Sequence, residues 1–258
     1  FAYVPDPIPF QFNFLPHAEK IKTDRASFNL SDFDLFIILD CGTLKRARLP
    51  ELANRSEEQF LIEIDHHINP APFKGTLCPA QKIFLPTSIA KTKQEDEQKR
   101  CGVKIENVAN LEIREPELSS TTELVYKFFK ANKIRMNKNI ATCILSGILT
   151  DSGNFLYQST SDKTIEISGE MLKYGANLPQ IMENTWRNKS LPALKVWGTA
   201  FSRLKFNKKY GIAFSVLTLN DIQGVDEEDL EGISNFLGNL EGAKAVLLLR
   251  EQKDGTVR

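Results

Sequence analysis

Short apolar runs separated by polar segments make up the first part of the chain, and two of these runs end in an acidic residue. Leu35–Leu39 leads into Asp40, and the mostly apolar run from Phe60 to Ile64 leads into Asp65. Apolar runs of this length are typical of strands buried in a parallel sheet. With the strand-like first residues included, the pattern predicts strands at residues 1–4, 35–40 and 60–65.

Helical spacing of apolar residues follows. Ser120 and Glu123 have the spacing of a capping box, which predicts a helix that begins there. Asn137 is placed to cap a second helix with Asp151 at its end, and a third helix is predicted over 161–174. Strands alternate with helices from residue 1 to about 150, and this alternation predicts an α/β fold with a mostly parallel sheet flanked by helices.

The last third of the chain has its own series of elements. A connector helix, a strand, a second helix and a second strand are predicted over 191–207, 211–218, 226–240 and 244–250. We therefore expect a larger α/β domain, the connector helix and a partial, smaller α/β domain, over residues 1–190, 191–207 and 208–258.

Composition narrows the function classes. The 258 residues include 33 Lys or Arg and 33 Asp or Glu, so no global positive field attracts duplex nucleic acid. No apolar run approaches the ~20 residues that cross a bilayer, so no membrane segment is expected. The four cysteines form no CxxC pair, which argues against structural zinc. Free, buried thiols fit a reducing compartment, and we expect a cytoplasmic protein.

Both ends of the chain have the pattern of interrupted elements. Phe1 begins a strand without a preceding Met, and the hairpin turn Lys253-Asp254-Gly255 is followed by a return strand of only Thr256, Val257 and Arg258. We therefore expect the sequence to be a fragment of a longer protein. The highly charged segment over 80–107 is expected to be a solvated surface insertion.

Metal-binding chemistry is concentrated at Asp40, Asp65-His66-His67 and Asp151. Because the carboxyl ends of parallel strands meet at one edge of a sheet, we expect these side chains to converge. Asp40, His66 and Asp151 have the carboxylate and imidazole groups that suit Mn²⁺, Mg²⁺, Fe²⁺ or Zn²⁺. His67 would then face a scissile phosphate as a donor or general acid, and Asp65 would orient an imidazole.

Each of these positions also has a plain structural interpretation. A single Asp at a strand exit is often a helix cap or a turn residue, and a His-His pair is often only part of a solvated surface. The combination of three such positions, each at the end of an apolar element, favours the metal site.

Asp65-His66-His67 resembles the signature of the DHH phosphoesterase superfamily. Further segments resemble its branch of nano-RNases, which are bifunctional oligoribonucleases and 3′-phosphoadenosine-5′-phosphate (pAp) phosphatases. These segments are the Pro-rich residues 7–16, ILDCG over 38–42, SSTTELVY over 119–126 and GILTDSGNF over 147–155. Residues 208–258 are similar to the first part of the DHHA1 substrate domain.

The resemblance implies two Mn²⁺ ions in the complete protein, with Mg²⁺ or another divalent ion as alternatives. Asp40 would bridge the two ions, and His66 and Asp151 would complete the second site. His67 would contact the substrate phosphate.

Two family motifs are not found in the sequence. The motif His-x-x-x-Asp-x-Asp, which would hold the first metal, should lie upstream of Phe1, and the GGGH motif of DHHA1 should lie beyond Arg258. We therefore expect the fragment alone to be inactive. The hydroxyls of Ser119, Ser120 and Thr121 are further candidates for substrate binding, although capping accounts for one of them and is favoured.

The activity implied is that of a Mn²⁺-dependent hydrolase that releases nucleoside 5′-monophosphates from short RNA and dephosphorylates pAp. A cyclic dinucleotide phosphodiesterase is the alternative with the same chemistry. A catalytically degenerate nucleotide-binding protein is the alternative from another class. Near-neutral charge fits a short RNA or nucleotide better than a long duplex. Dimers occur in the family, so a homodimer is compatible with the resemblance.

Overall fold

The computed structural model divides the chain into two compact units, Phe1–Thr185 and Trp186–Arg258. The residues described are 1–67, 109–187, 189–225, 227–230, 232–252 and 254–258. The predicted insertion over 80–107 therefore lies outside the described residues. Within the described ranges, no helix has the length and apolar character required to cross a bilayer.

A three-stranded parallel sheet in the order β1-β2-β3 forms the base of the first unit. Its strands are β1 (Leu35–Leu39), β2 (Phe60–Asp65) and β3 (Leu111–Arg114). Phe36 and Ile38 of β1 pack with Leu61 of β2 in one apolar cluster. The predicted α/β fold with a mostly parallel sheet is confirmed, and the strand exits lie at one edge of the sheet.

Four helices follow the sheet along the chain. They are α1 (Thr121–Ala131), α2 (Lys138–Asp151), α3 (Asp162–Lys173) and α4 (Leu178–Thr185). Ile144, Leu145 and Ile148 of α2 are buried in a cluster that includes residues of the other three helices. The side chain of Asn137 accepts a hydrogen bond from the backbone N–H of Ile140, so the predicted cap of α2 is confirmed.

Two local predictions for the first unit are wrong. Residues 1–4 form no regular strand, because Pro5 and Pro7 cannot donate to a ladder; Tyr3 makes a single parallel bridge to Lys22. Ser120 is the N-cap residue of α1, but its side chain makes no capping hydrogen bond. The predicted capping box therefore does not form.

The second unit combines short helices with a three-stranded mixed sheet. Its elements are α5 (Leu191–Ser202), β4 (Lys205–Asn207), β5 (Ile212–Leu217), α6 (Glu227–Leu230), α7 (Ile233–Leu237) and β6 (Ala245–Arg250). β5 pairs antiparallel with β4 and parallel with β6. Trp197 lies against this unit's core and donates from Nε1 to the carbonyl of Asp229 at 2.9 Å.

Element bounds in the second unit differ from the predictions at two points. α5 ends at Ser202 because residues 205–207 pair with β5, so the connector helix is shorter than the predicted 191–207. The helix predicted over 226–240 contains two short helices, and Gly232 between them has a left-handed φ of 92°. Arg250 and Arg258 exchange backbone hydrogen bonds, as the predicted terminal hairpin requires, and Lys253 of its turn lies outside the described residues.

Candidate metal centre

One carboxylate and two imidazoles meet where β1 and β2 end. Leu39 pairs with Ile64 in the parallel register, so the residues that follow these strands are neighbours. Ligand atoms of Asp40, His66 and His67 all lie within 4.8 Å of one another. Asp40 Oδ1 is 3.7 Å from His66 Nε2 and 3.5 Å from His67 Nδ1. The predicted convergence of these three side chains is therefore present in the structure.

The backbone of Asp40 aims its carboxylate at this cluster. Its φ is 59°, in the left-handed region that few residues other than Gly, Asn and Asp adopt readily. Its N–H donates to the carbonyl of Ile64 at 3.0 Å, which fixes the turn against β2. The side-chain hydroxyl of Thr121 donates to Oδ1. A left-handed residue that is fixed by hydrogen bonds of both its backbone and its side chain is typical of a functional position.

The ring of His66 is held in one tautomer. Its Nδ1 lies 3.1 Å from the carbonyl oxygen of Leu118. Because a carbonyl only accepts, Nδ1 carries the proton, and the lone pair of Nε2 faces Asp40. An imidazole whose second nitrogen donates to a carbonyl is the usual form of a metal ligand.

The side chain of Asp65 lies beneath His67 and is fully buried. Asp65 Oδ1 accepts from the backbone N–H of His67 at 2.9 Å and from its ring Nδ1 at 2.8 Å. Burial alone would raise the pKa of Asp65, but these hydrogen bonds and the charge of Arg114 hold it below its ordinary value. The carboxylate is thus ionised and directs Nε2 of His67 away from itself, as the predicted orienting role requires.

Asp151 is the last residue of α2 and lies close enough to the cluster for its charge to interact. The pKa of Asp151 is raised to about 6, because burial and the charge of Asp40 raise it while His66 and His67 oppose the rise. Its carboxylate is outside the group of ligand atoms that lie within 4.8 Å of one another. Its role as a metal ligand therefore stays a prediction.

The three hydroxyl candidates have separate partners. Ser119 bonds to the side chain of Glu123 through both its N–H and its hydroxyl, and Ser120 contacts the hydroxyl of Thr122 at 2.9 Å. Both serines are buried. The hydroxyl of Thr121 instead donates to the carboxylate of Asp40 and so holds that side chain in place. A substrate contact by any of them stays a prediction.

Sequence reasoning missed Arg114, at the end of β3. Its guanidinium donates to the backbone carbonyl of His67 at 2.7 Å and to the side chains of Glu63 and Glu112. No local motif marks this residue, because His67 is 47 positions away along the chain. The run Leu111–Arg114 was not among the predicted strands, and the charged residue at its end was the available signal.

Two curated relatives align with most of the chain. One is the bifunctional oligoribonuclease and PAP phosphatase NrnA of Bacillus subtilis (strain 168), 22% identical over 223 residues that cover 84% of this chain and 59% of the relative. The other is the probable bifunctional oligoribonuclease and PAP phosphatase NrnA of Streptococcus mutans serotype c, 26% identical over 231 residues that cover 88% of this chain and 62% of the relative. The chain thus spans about three fifths of the length of these relatives.

A solved structure has the same fold. The crystal structure of an exopolyphosphatase-related protein from Bacteroides fragilis superimposes with a TM-score of 0.74 at 22% sequence identity. The match covers 99% of this chain and 67% of that chain.

A family model matches the region that contains Asp40, His66 and His67. The N-terminal domain of the DHH family matches residues 3–148, which is more than half of the chain. With the two relatives, this match confirms the resemblance to the DHH superfamily and to its nano-RNase branch. The chain belongs to the DHH family.

Proposed function

We propose that the protein is a divalent-metal-dependent phosphoesterase that hydrolyses short oligoribonucleotides to nucleoside 5′-monophosphates and dephosphorylates pAp. The observation that carries the proposal is the convergence of Asp40, His66 and His67 at one edge of a parallel sheet. The names of the two relatives support the choice of substrates. The near-neutral net charge supports a short substrate, which has few phosphates to neutralise.

The donor set fits a hard or borderline divalent cation. The site offers two carboxylates and one imidazole whose Nε2 carries a lone pair. Ligands of these types suit Mn²⁺, and they also suit Mg²⁺, Fe²⁺ or Zn²⁺. We assign Asp40, His66 and Asp151 as ligands and propose Mn²⁺ as the ion. When bound, such ions lower the pKa of water and neutralise charge on phosphoryl oxygens.

Asp65 orients the ring of His67, and His67 donates a hydrogen bond or a proton to the substrate. Asp65 holds the ring of His67 by Nδ1, so Nε2 is left to contact a substrate phosphate or to pass a proton to the leaving oxygen. The side chain of His67 is 48% exposed, which leaves room for such a contact. Thr121 holds Asp40 through a hydrogen bond from its hydroxyl.

The domain organisation and the location of the protein complete the proposal. We assign residues 1–190 to the DHH domain, 191–207 to the connector and 208–258 to the first part of a DHHA1 substrate domain. Free Cys41 and Cys143 support a cytoplasmic location, where thiols stay reduced. A homodimer stays a prediction that the molar mass in solution tests.

Turnover by the full-length protein tests the function. Labelled di- and trinucleotide RNA, pAp and a cyclic dinucleotide are each incubated with Mn²⁺, and the products are separated. We expect release of 5′-monophosphates from the linear RNAs and of phosphate from pAp. Hydrolysis of the cyclic dinucleotide alone would support a cyclic dinucleotide phosphodiesterase. Binding of the nucleotides without turnover would support a degenerate binding protein.

A matched pair of variants links turnover to the site. Asp40→Asn keeps a residue that tolerates the left-handed backbone but removes the charge at the exit of β1. Asp34→Asn makes the same change just before β1, at the opposite end of the strand. We expect Asp40→Asn to abolish turnover and Asp34→Asn to retain it. Equal activity of the two variants would contradict the proposed site.

A further inference from the structure

Arg114 connects three carboxylates to the backbone of His67. Its Nη2 lies 2.5 Å from Glu63 Oε1, and its Nε lies 2.6 Å from Glu112 Oε1. Its Nη1 lies 2.7 Å from the carbonyl oxygen of His67 and 3.4 Å from Asp65 Oδ2. One planar group thus spans all four partners, which the fork of a guanidinium can do and an ammonium cannot.

The parallel register brings these side chains together. Glu63 pairs with Glu112, and Asp65 pairs with Arg114, on neighbouring strands. Residues in register on parallel strands share a face of the sheet, and alternate residues along one strand share it too. The four side chains therefore form one group on one face of β2 and β3, directly under the Asp65–His67 contact.

Burial makes the guanidinium necessary to this group. The side chains of Glu63 and Asp65 are 1% and 0% exposed, and that of Arg114 is 13% exposed. A buried carboxylate that loses its counter-charge carries a large desolvation cost. Glu63 and Asp65 would therefore shift to reach water if Arg114 were shortened, and Asp65 would take the His67 ring with it.

We propose that Arg114 is a positioning residue that holds Asp65 and the backbone of His67 so that the His67 ring keeps its proton on Nδ1 and offers Nε2 to the substrate. This inference rests on the proposed function for the role of His67 in turnover. The orientation of the ring itself is independent of that function. Arg114 acts through Asp65 and the His67 carbonyl, and it does not contact the ring.

The test uses the full-length protein and two matched substitutions. Arg114→Lys keeps the charge but loses the fork. Arg55→Lys makes the same change at an arginine that also bonds backbone carbonyls, those of Leu52 and Gln59. Glu112→Gln weakens the hydrogen bond that Nε of Arg114 donates, and it replaces Arg114→Lys in the test if that variant does not fold. Each variant is first compared with the wild type by thermal unfolding.

Two readouts are measured. Steady-state kinetics on a dinucleotide RNA give kcat and KM separately. Long-range ¹H–¹⁵N spectra of ¹⁵N-histidine-labelled, metal-free protein report which ring nitrogen of His67 carries the proton, and this readout needs no activity. His17 and His66 are internal references in the same spectra.

We expect Arg114→Lys to lower kcat about tenfold to a hundredfold with little change in KM, as loss of an outer orienting partner does. The His67 resonances should lose the signature of a single Nδ1–H tautomer. Glu112→Gln should move both readouts in the same direction by less, and Arg55→Lys should move neither.

An unchanged His67 spectrum in folded Arg114→Lys overturns the inference, whatever happens to kcat. An equal change in Arg55→Lys overturns it too, because the effect would then be general. If the wild type turns over none of the substrates, the proposed function fails, and the His67 spectra alone decide the role of Arg114.

Discussion

Thr121 donates a hydrogen bond from Oγ1 to Oδ1 of Asp40 at 2.6 Å, across 81 positions of the chain. The bond joins the first residue of α1 to the residue that follows β1. One oxygen of the Asp40 carboxylate is therefore oriented before any ion binds. Preorganisation of this kind lowers the cost of assembling a metal site, because the carboxylate loses little further rotational freedom on binding.

Loss of this bond should weaken metal binding. Thr121→Val keeps the shape of the side chain and removes the hydroxyl, so Asp40 becomes free to rotate. We expect the Mn²⁺ affinity to fall about tenfold to a hundredfold, the usual effect of removing an outer hydrogen bond. Isothermal titration calorimetry measures the affinity. Thr122→Val is the control, since the hydroxyl of Thr122 contacts Ser120 instead; an equal loss in both variants would contradict the role of Thr121.

Gly147 lets α1 and α2 approach closely. A Cβ at this position would lie 2.4 Å from Cγ2 of Thr122, whereas a Cβ at Gly169 of α3 would meet nothing within 4 Å. We expect Gly147→Ala to destabilise the protein by about 1–3 kcal/mol through overpacking. Gly169→Ala should stabilise it by roughly 0.5–1 kcal/mol, since Ala is the better helix former. Urea denaturation measures both, and effects of the same sign would contradict the close approach.

Glu63 should make stability depend on pH. Burial raises its pKa from 4.5 to about 7, although Arg114 opposes the rise. A group with a raised pKa in the folded state binds its proton more tightly there than in the unfolded chain. Its contribution is fully present below about pH 4.5 and is lost as the pH rises through about 7. The free energy of unfolding should therefore fall over this range.

Glu63→Gln tests this dependence, because the amide cannot titrate. Chemical denaturation at intervals between pH 5 and pH 8 should give a smaller slope for this variant than for the wild type. Glu58→Gln, at an exposed glutamate before β2, should keep the slope of the wild type. A wild-type slope in Glu63→Gln would exclude Glu63 as its source.

The cap of α2 should contribute to the stability of the helix that ends at Asp151. Asn137→Ala removes the acceptor for the Ile140 N–H, which is 3.0 Å away. We expect a loss of about 1 kcal/mol in unfolding free energy, the typical value for an N-cap. Asn184→Ala provides the comparison, since its amide donates to the Gln180 carbonyl within α4. Equal losses would show that the cap has no special effect.

The sequence was sufficient to predict β1, β2 and the convergence of side chains at their exits, whereas β3 was not predicted. Each of the runs before Asp40 and Asp65 is a short apolar segment that ends in polar residues, and parallel strands place such exits together. The neighbourhood of Asp40, His66 and His67 followed from this rule, and the fold class followed from the pattern of strands and helices. These predictions succeeded because they depend on local pattern and on one general property of parallel sheets.

Predictions that depend on long-range contacts were less complete. His67 lies 47 positions from Arg114 and Asp40 lies 81 positions from Thr121, so no spacing along the chain reveals these contacts. The capping box at Ser120 does not form because the carboxylate of Glu123 accepts hydrogen bonds from Ser119 and Thr164 within the packed core. Tertiary hydrogen bonds of this kind override a local motif when the acceptor is buried.

The left-handed backbone at Asp40 restricts which substitutions the position can accept. Gly, Asn and Asp adopt this conformation readily, whereas other residues incur a cost of roughly 1–2 kcal/mol. Glu keeps the negative charge but incurs that cost, while Asn avoids the cost and loses the charge. In a saturation library, selection for folding alone would thus admit Gly and Asn, and added selection for metal binding would return the position to Asp.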